Sequence, residues 1–331
     1  MGPLLSIRNL RTYIQMPGVH LPVKAVDGVD LDIQPNQILC LIGESGCGKT
    51  MLALSIGRLL PRSAKRISGQ ILFQGTDLTS LNEEQLRQLR GGRIAYIFQD
   101  PLSAFNPVMT IGEQLMETIR FHPQVRDKAD RDLAIELLAR VKVPIPERRM
   151  RQYPHRLSGG LRQRAMIAMA LAGKPILLIA DEPTTALDVT TQAEILDLLR
   201  ELKTTLGMSI LLITHDLMAV APSSDRIAVM YAGRIVEVLE TDRLAKEASH
   251  PYTQALLGCL PRVGEGRQSL RAIPGTVPDL RFTPSGCPFH PRCPEAIPLC
   301  REQEPQLKPV APAAHAHPVS CWRRESQEGR E

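Results

Sequence analysis

Gly43-Glu44-Ser45-Gly46-Cys47-Gly48-Lys49-Thr50 fits the pattern G-x-x-x-x-G-K-[ST], in which a glycine-rich loop turns successive backbone N–H groups toward phosphate oxygens. The apolar run Ile38-Leu39-Cys40-Leu41-Ile42 before it reads as a buried strand. The segment from Thr50 to Leu60 reads as a helix stopped by Pro61. This strand–loop–helix context gives the pattern its physical weight, because the helix N-terminus adds the positive end of its dipole to the cradle. Lys49 is expected to neutralise charge on the β- and γ-phosphates, and the Thr50 hydroxyl to bind Mg²⁺. The expected ligand is a nucleoside triphosphate.

A second apolar strand, Ile176 to Ala180, ends in Asp181-Glu182. A carboxylate at a strand tip opposite a phosphate loop belongs to Mg²⁺ support, which assigns Asp181. Glu182, one residue on, is placed to orient or deprotonate an attacking water. Between the two motifs the pattern turns helical, at Ile111 to Phe121, Lys128 to Val141 and Gly159 to Leu171. Further strands are expected at Leu4–Leu10, Ala25–Ile33, 67–75, Arg93–Phe98 and Ile210–Thr214, and as a hairpin, Arg226–Tyr231 with Arg234–Val238, around Ala232-Gly233. The expected architecture is an α/β phosphate-loop core with N-terminal antiparallel strands and a helical insertion at about 100–172. Past Pro261 the chain becomes rich in Pro, Gly, Arg and Cys, which sets a boundary between a nucleotide-binding domain, 1–258, and a loop-rich extension, 259–331.

With 331 residues, 43% of them hydrophobic, the chain can bury a large core. Its net charge of +5 is spread without a long Lys/Arg run, so no nucleic-acid partner is expected. No apolar stretch reaches the roughly 18–20 residues that span a bilayer. The start has no secretory pattern, and its nominal myristoylation pattern is spoiled by Pro3. The expectation is a cytosolic chain that meets a membrane through partners.

Four of the seven cysteines crowd into the extension as Cys287-x₅-Cys293-x₆-Cys300-x₂₀-Cys321. In a reducing compartment such crowding favours metal ligation over disulfides. Four thiolates suit Zn²⁺ or an iron–sulfur cluster, and the spacing leaves both open, along with unligated thiols. His290, His315 and His317 are alternative ligands.

The series of motifs resembles the ATP-binding-cassette (ABC) ATPases. Leu157-Ser158-Gly159-Gly160-Leu161-Arg162-Gln163-Arg164 is similar to their signature, with Leu161 where the commonest form has Gln. A serine and two glycines at a helix start make a second phosphate surface. The resemblance implies that Ser158, Gly159 and Gly160 serve the γ-phosphate of ATP held by a second ATPase subunit, so that two cassettes sandwich the nucleotide. It implies further roles: Gln99 for Mg²⁺, water and sensing of the membrane subunits, Asp188 for contact with the opposite cassette, His215 for the γ-phosphate, and Tyr13 for stacking on adenine. Tyr153-Pro154-His155-Arg156, Asp181 to Thr190, His250-Pro251-Tyr252 with Thr253 to Leu257, and the cysteine tail resemble the dipeptide and oligopeptide importer branch.

That branch implies import of dipeptides or oligopeptides and a place at the cytoplasmic face of the inner membrane. The implied partners are a second, similar ATPase in a heterodimer, two transmembrane permease subunits and an extracytoplasmic solute-binding protein. It also implies a [4Fe–4S] cluster on Cys287, Cys293, Cys300 and Cys321, and docking of a permease helix on Asn106 to Phe121. Rival readings are import of nickel or a metal chelate, glutathione or an opine, and a soluble ABC ATPase outside transport. The soluble class usually carries two cassettes or a long coiled coil, and this chain shows neither.

Overall fold

The computed structural model describes residues 2–122, 128–260, 272–310 and 317–324. His315 lies outside them. Among the described residues the strands are, in chain order, β1 (Leu5–Ile14), β2 (Val23–Ile33), β3 (Ile38–Ile42), β4 (Ala64–Phe73), β5 (Thr76–Asp77), β6 (Ile94–Ile97), β7 (Leu177–Asp181), β8 (Ser209–Thr214), β9 (Arg226–Tyr231) and β10 (Arg234–Glu240), then the short β11 (Lys308–Pro309) and β12 (Pro318–Val319). The chain falls into two compact units. The first comprises 1–32, 39–79 and 215–331, and the second 33–38 and 80–214.

The first unit carries an antiparallel sheet in the order β2-β1-β4-β5, with Leu5 opposite Phe73 and Ile7 opposite Ile71. Those inward residues are fully or nearly buried, as alternation on a one-sided sheet requires. The unit also holds β3, which lies parallel to β9, and the β9–β10 hairpin turning at Ala232-Gly233. On the outer side of β10 sits β12, with Val319 opposite Glu237, and β11 lies beyond it. The last strand of the cysteine-rich extension therefore joins the sheet of this unit. Every residue of β3 is buried, the mark of a strand covered on both faces.

In the second unit β6, β7 and β8 run parallel, with Ala95 beside Leu178 and Ile179 beside Leu211. β7 and β8 are buried throughout. Helices Ile111–Phe121 and Gly159–Leu171 have the limits read from the sequence. Thr110 and Glu113 form a reciprocal capping box that fixes the start of the first. The longest helix, Val189–Leu206, occupies a stretch where the sequence reading marked no element. It buries Ile195, Leu196, Leu198, Leu199 and Leu202 on one face, begins at an Asp188 cap and ends at Gly207 in the left-handed region.

Candidate nucleotide site

The loop Gly43–Thr50 leaves β3 and enters the helix Lys49–Ile56. Gly48 caps that helix at φ 111, and a Cβ there would lie 1.9 Å from the Ala25 carbonyl oxygen. The position therefore accepts only glycine. Lys49 is buried, and its ammonium donates to the Gly43 and Glu44 carbonyls at 2.8 and 3.0 Å. Those bonds hold the charge within the loop, while Ser45, Gly46 and Thr50 face outward. Burial raises the Cys47 thiol above its ordinary range, with Lys49 opposing the shift, so Cys47 packs as a neutral thiol. Tyr13 lies on β1 with its ring half-buried. Its hydroxyl donates to Asp27 at 2.7 Å, and burial followed by that bond raises the phenol. Arg11 and Arg234 meet the same buried carboxylate.

The second unit joins Glu182 to Gln99, 83 residues earlier in the chain. Asp181 is buried at the tip of β7. Glu182 follows at φ 47, a conformation L-residues avoid, with its N–H on the Ile213 carbonyl at the end of β8. One carboxylate oxygen of Glu182 accepts both the Gln99 side-chain amide at 3.0 Å and the Thr185 hydroxyl at 2.8 Å. Gln99 and Thr185 thus orient the acid from two sides. Thr185 was missed by the sequence reading, although it lies three residues after Glu182, within reach of a turn.

Ser158 is the exposed cap of helix Gly159–Leu171 and accepts the Leu161 N–H at 3.4 Å. Gly159 and Gly160 open that helix. Asp188 caps Val189–Leu206 through the Thr191 N–H and hydroxyl, bonds that hold its carboxyl below the usual range. Beside it Val189 is 82% exposed. His215 follows β8 and is exposed. In the segment Asn106–Phe121, Ile111, Leu115 and Ile119 are buried and pack the helix inward, whereas Val108 is 78% exposed. The apolar spacing therefore reports mainly core, with Val108 and Phe121 facing outward.

A protein-family model described as "ABC transporter" matches residues 26–185, and another, "Oligopeptide/dipeptide transporter, C-terminal region", matches 236–300. The chain is 48% identical over 322 residues to a probable peptide ABC transporter ATP-binding protein, y4tR, of Sinorhizobium fredii, covering 97% of this chain and 95% of that one. This chain belongs to the ABC transporter family. It is also 44% identical over 323 residues to the dipeptide transport ATP-binding protein DppD of Bacillus subtilis, with the same coverage. Among solved structures it is similar to the ATP-binding cassette MJ0796, a dimer in a post-hydrolysis state bound to ADP and Pi. The TM-score is 0.63 at 27% identity, over 72% of this chain and 98% of that one. Membership makes the chain an ATPase of the phosphate-loop fold. Among the described residues no helix is long and apolar enough to cross a membrane.

The cysteine tail needs a correction. Among the described residues no three of His, Cys, Asp and Glu are disposed to ligate a metal ion, so the arrangement found supports neither zinc nor the expected iron–sulfur cluster. A zinc ion draws its sulfurs together with bonds of ~2.3 Å. Cys287, Cys293, Cys300 and Cys321 nevertheless line one small cavity with Phe289 and Pro251. Burial, and after it the neighbouring tail thiols, push Cys287 up to about 12, and burial also raises Cys293 and Cys321. His290 turns its Nδ1 to the Cys287 carbonyl, and His317 turns its Nε2 to Glu237. The cavity offers a cluster the four sulfurs, with His290 and Glu295 also on its lining.

Proposed function

We propose that the chain is the ATP-hydrolysing, energy-coupling subunit of a bacterial importer for dipeptides or oligopeptides. In this reading residues 1–258 bind nucleotide and 259–331 form the importer extension. A second ATPase subunit completes the ATP sandwich, two permease subunits dock on the cassette at the cytoplasmic face of the inner membrane, and a solute-binding protein delivers peptide from outside.

The observation that carries the sandwich is the exposed Ser158-capped helix start, a phosphate surface of a different kind from the loop Gly43–Thr50. In this site Lys49 and the loop amides hold the triphosphate, Tyr13 supports the adenine, and His215 steadies the γ-phosphate. Thr50, Asp181 and Gln99 would hold Mg²⁺, which supplies charge neutralisation between the phosphates when bound. Glu182, aimed by Gln99 and Thr185, takes the proton of the attacking water. Hydrolysis measured against protein concentration, with and without the companion ATPase, tests the sandwich. Turnover per subunit should climb with concentration or companion, and a flat profile rejects it.

The tail cysteines in this reading hold a [4Fe–4S] cluster, supported by the cavity that Cys287, Cys293, Cys300 and Cys321 share. Iron and acid-labile sulfide in anaerobically purified protein, lost together in Cys→Ser variants, are the expected result. Metal-free protein with four titratable tail thiols rejects the cluster.

A further inference from the structure

The extension reaches the phosphate loop through contacts that no step above uses. All of the residues involved belong to the first unit. Glu44 is the second residue of the loop and its only acidic one. Arg292, between Cys287 and Cys293, grips the Glu44 carboxylate with two prongs, Nη1 to Oε2 at 2.8 Å and Nη2 to Oε1 at 3.1 Å. Its Nε donates to the Pro274 carbonyl at 2.8 Å, and its guanidinium lies 5.8 and 6.0 Å from the ring centres of Tyr231 and Phe289. Only 5% of that side chain is exposed. The Glu44 N–H is donated to the Tyr252 hydroxyl at 2.9 Å. Tyr231, Tyr252 and Phe289 pack with ring centres 4.6, 5.2 and 5.3 Å apart. Behind them the His250 Nδ1 accepts the Tyr252 N–H at 3.0 Å.

A carboxylate in a loop that holds a polyanion opposes the ligand. A two-pronged arginine removes that opposition and also fixes the direction of the carboxylate. Its rigid fork, stacked on aromatic faces, loses little freedom in doing so. The Tyr252 hydroxyl pins the same residue by its backbone. Loop charge and loop shape are therefore both governed from outside the G-x-x-x-x-G-K-[ST] sequence.

We infer that Arg292, with Tyr252, is a positioning residue of the phosphate loop: it cancels the Glu44 charge and holds the loop against the aromatic cluster, so the C-terminal extension sets the affinity for ATP. The inference rests on the assignment of Gly43–Thr50 to the triphosphate. It gives the His250-Pro251-Tyr252 motif and the cysteine tail one physical task.

ATP binding by calorimetry on the full chain with Mg²⁺ tests it, using R292M, R292K, Y252F, R292M/E44Q and K49A. R292M should weaken binding about tenfold, equivalent to about 1.4 kcal/mol. R292K and Y252F should each weaken it about threefold, keeping one of the two restraints. The double variant should recover to within about threefold of wild type, because removing the opposing carboxylate matters only if charge is the cause. Recovery is the readout that a purely structural arginine would not give. Wild-type affinity in R292M, or a folded double variant as weak as R292M, overturns the inference. If R292M does not fold, wild-type affinity in both R292K and Y252F overturns it. Loss of binding in K49A with no change in the Arg292 variants rejects the inference alone, whereas normal binding by K49A rejects the loop assignment itself.

Discussion

Replacing Glu182 by glutamine should separate nucleotide binding from turnover. A single oxygen of Glu182 receives both the Gln99 amide and the Thr185 hydroxyl, at 3.0 and 2.8 Å. A glutamine whose carbonyl oxygen takes that place keeps both bonds, and its amide nitrogen stands where the other carboxylate oxygen was. The left-handed backbone at 182, φ 47, suits glutamine no worse than glutamate. Stability should therefore stay within about 0.5 kcal/mol of wild type. What disappears is the proton acceptor, worth about 10²–10⁴ in rate. At about 1.36 kcal/mol per tenfold, that is roughly 2.7–5.4 kcal/mol of barrier. Single-turnover phosphate release from ATP, with the companion subunit present, measures the loss, and calorimetry checks that ATP still binds. A Glu182→Gln protein that binds ATP and hydrolyses it within tenfold of wild type would refute the assignment of this carboxylate as the base.

Other outcomes follow from the same geometry. Asp27→Ala strips a buried carboxylate from Tyr13, Arg11 and Arg234, of which Arg234 keeps its ion pair with Glu304. Losing its hydrogen bonds costs about 1–3 kcal/mol, to be read from urea unfolding. Gly48→Ala drives a Cβ into the Ala25 carbonyl at positive φ, so the loop cannot form and ATP binding is lost in calorimetry. Burial holds the His122 imidazole below its ordinary value of 6.5, so the unfolded chain binds that proton first. The stability from this residue is present above pH 6.5 and lost as pH falls below it; His122→Phe should flatten that part of the urea-midpoint profile.

Much of this was legible in the sequence because the signals were local. The strand before Gly43, the capped helices Ile111–Phe121 and Gly159–Leu171, and the hairpin at Ala232-Gly233 are each set by period and turn chemistry within a few residues. Helix Val189–Leu206 was not, because its first turn is a run of β-branched residues and its cap, Asp188, had already been read as a functional aspartate. At the site the individual residues were readable but their pairings were not. Glu182 with Gln99 and Glu44 with Arg292 join residues far apart in the chain, and no spacing rule encodes such contacts. The four tail thiols line one cavity, yet no three metal-ligating side chains among the described residues are disposed to hold a metal ion.

The two-residue strands at the end of the chain have a practical consequence. β12 covers the free edge of β10, and the outermost strand, β11, is short and ends in Pro309, opposite Pro318. Proline and brevity are how sheets avoid recruiting foreign strands. A trimmed version ending before residue 300 would bare the hydrogen-bonding groups of β10 and take His317 away from the wholly buried Glu237. Shortened forms prepared for biochemistry should therefore clump, for want of a hem on the fabric rather than for any loss of the nucleotide pocket.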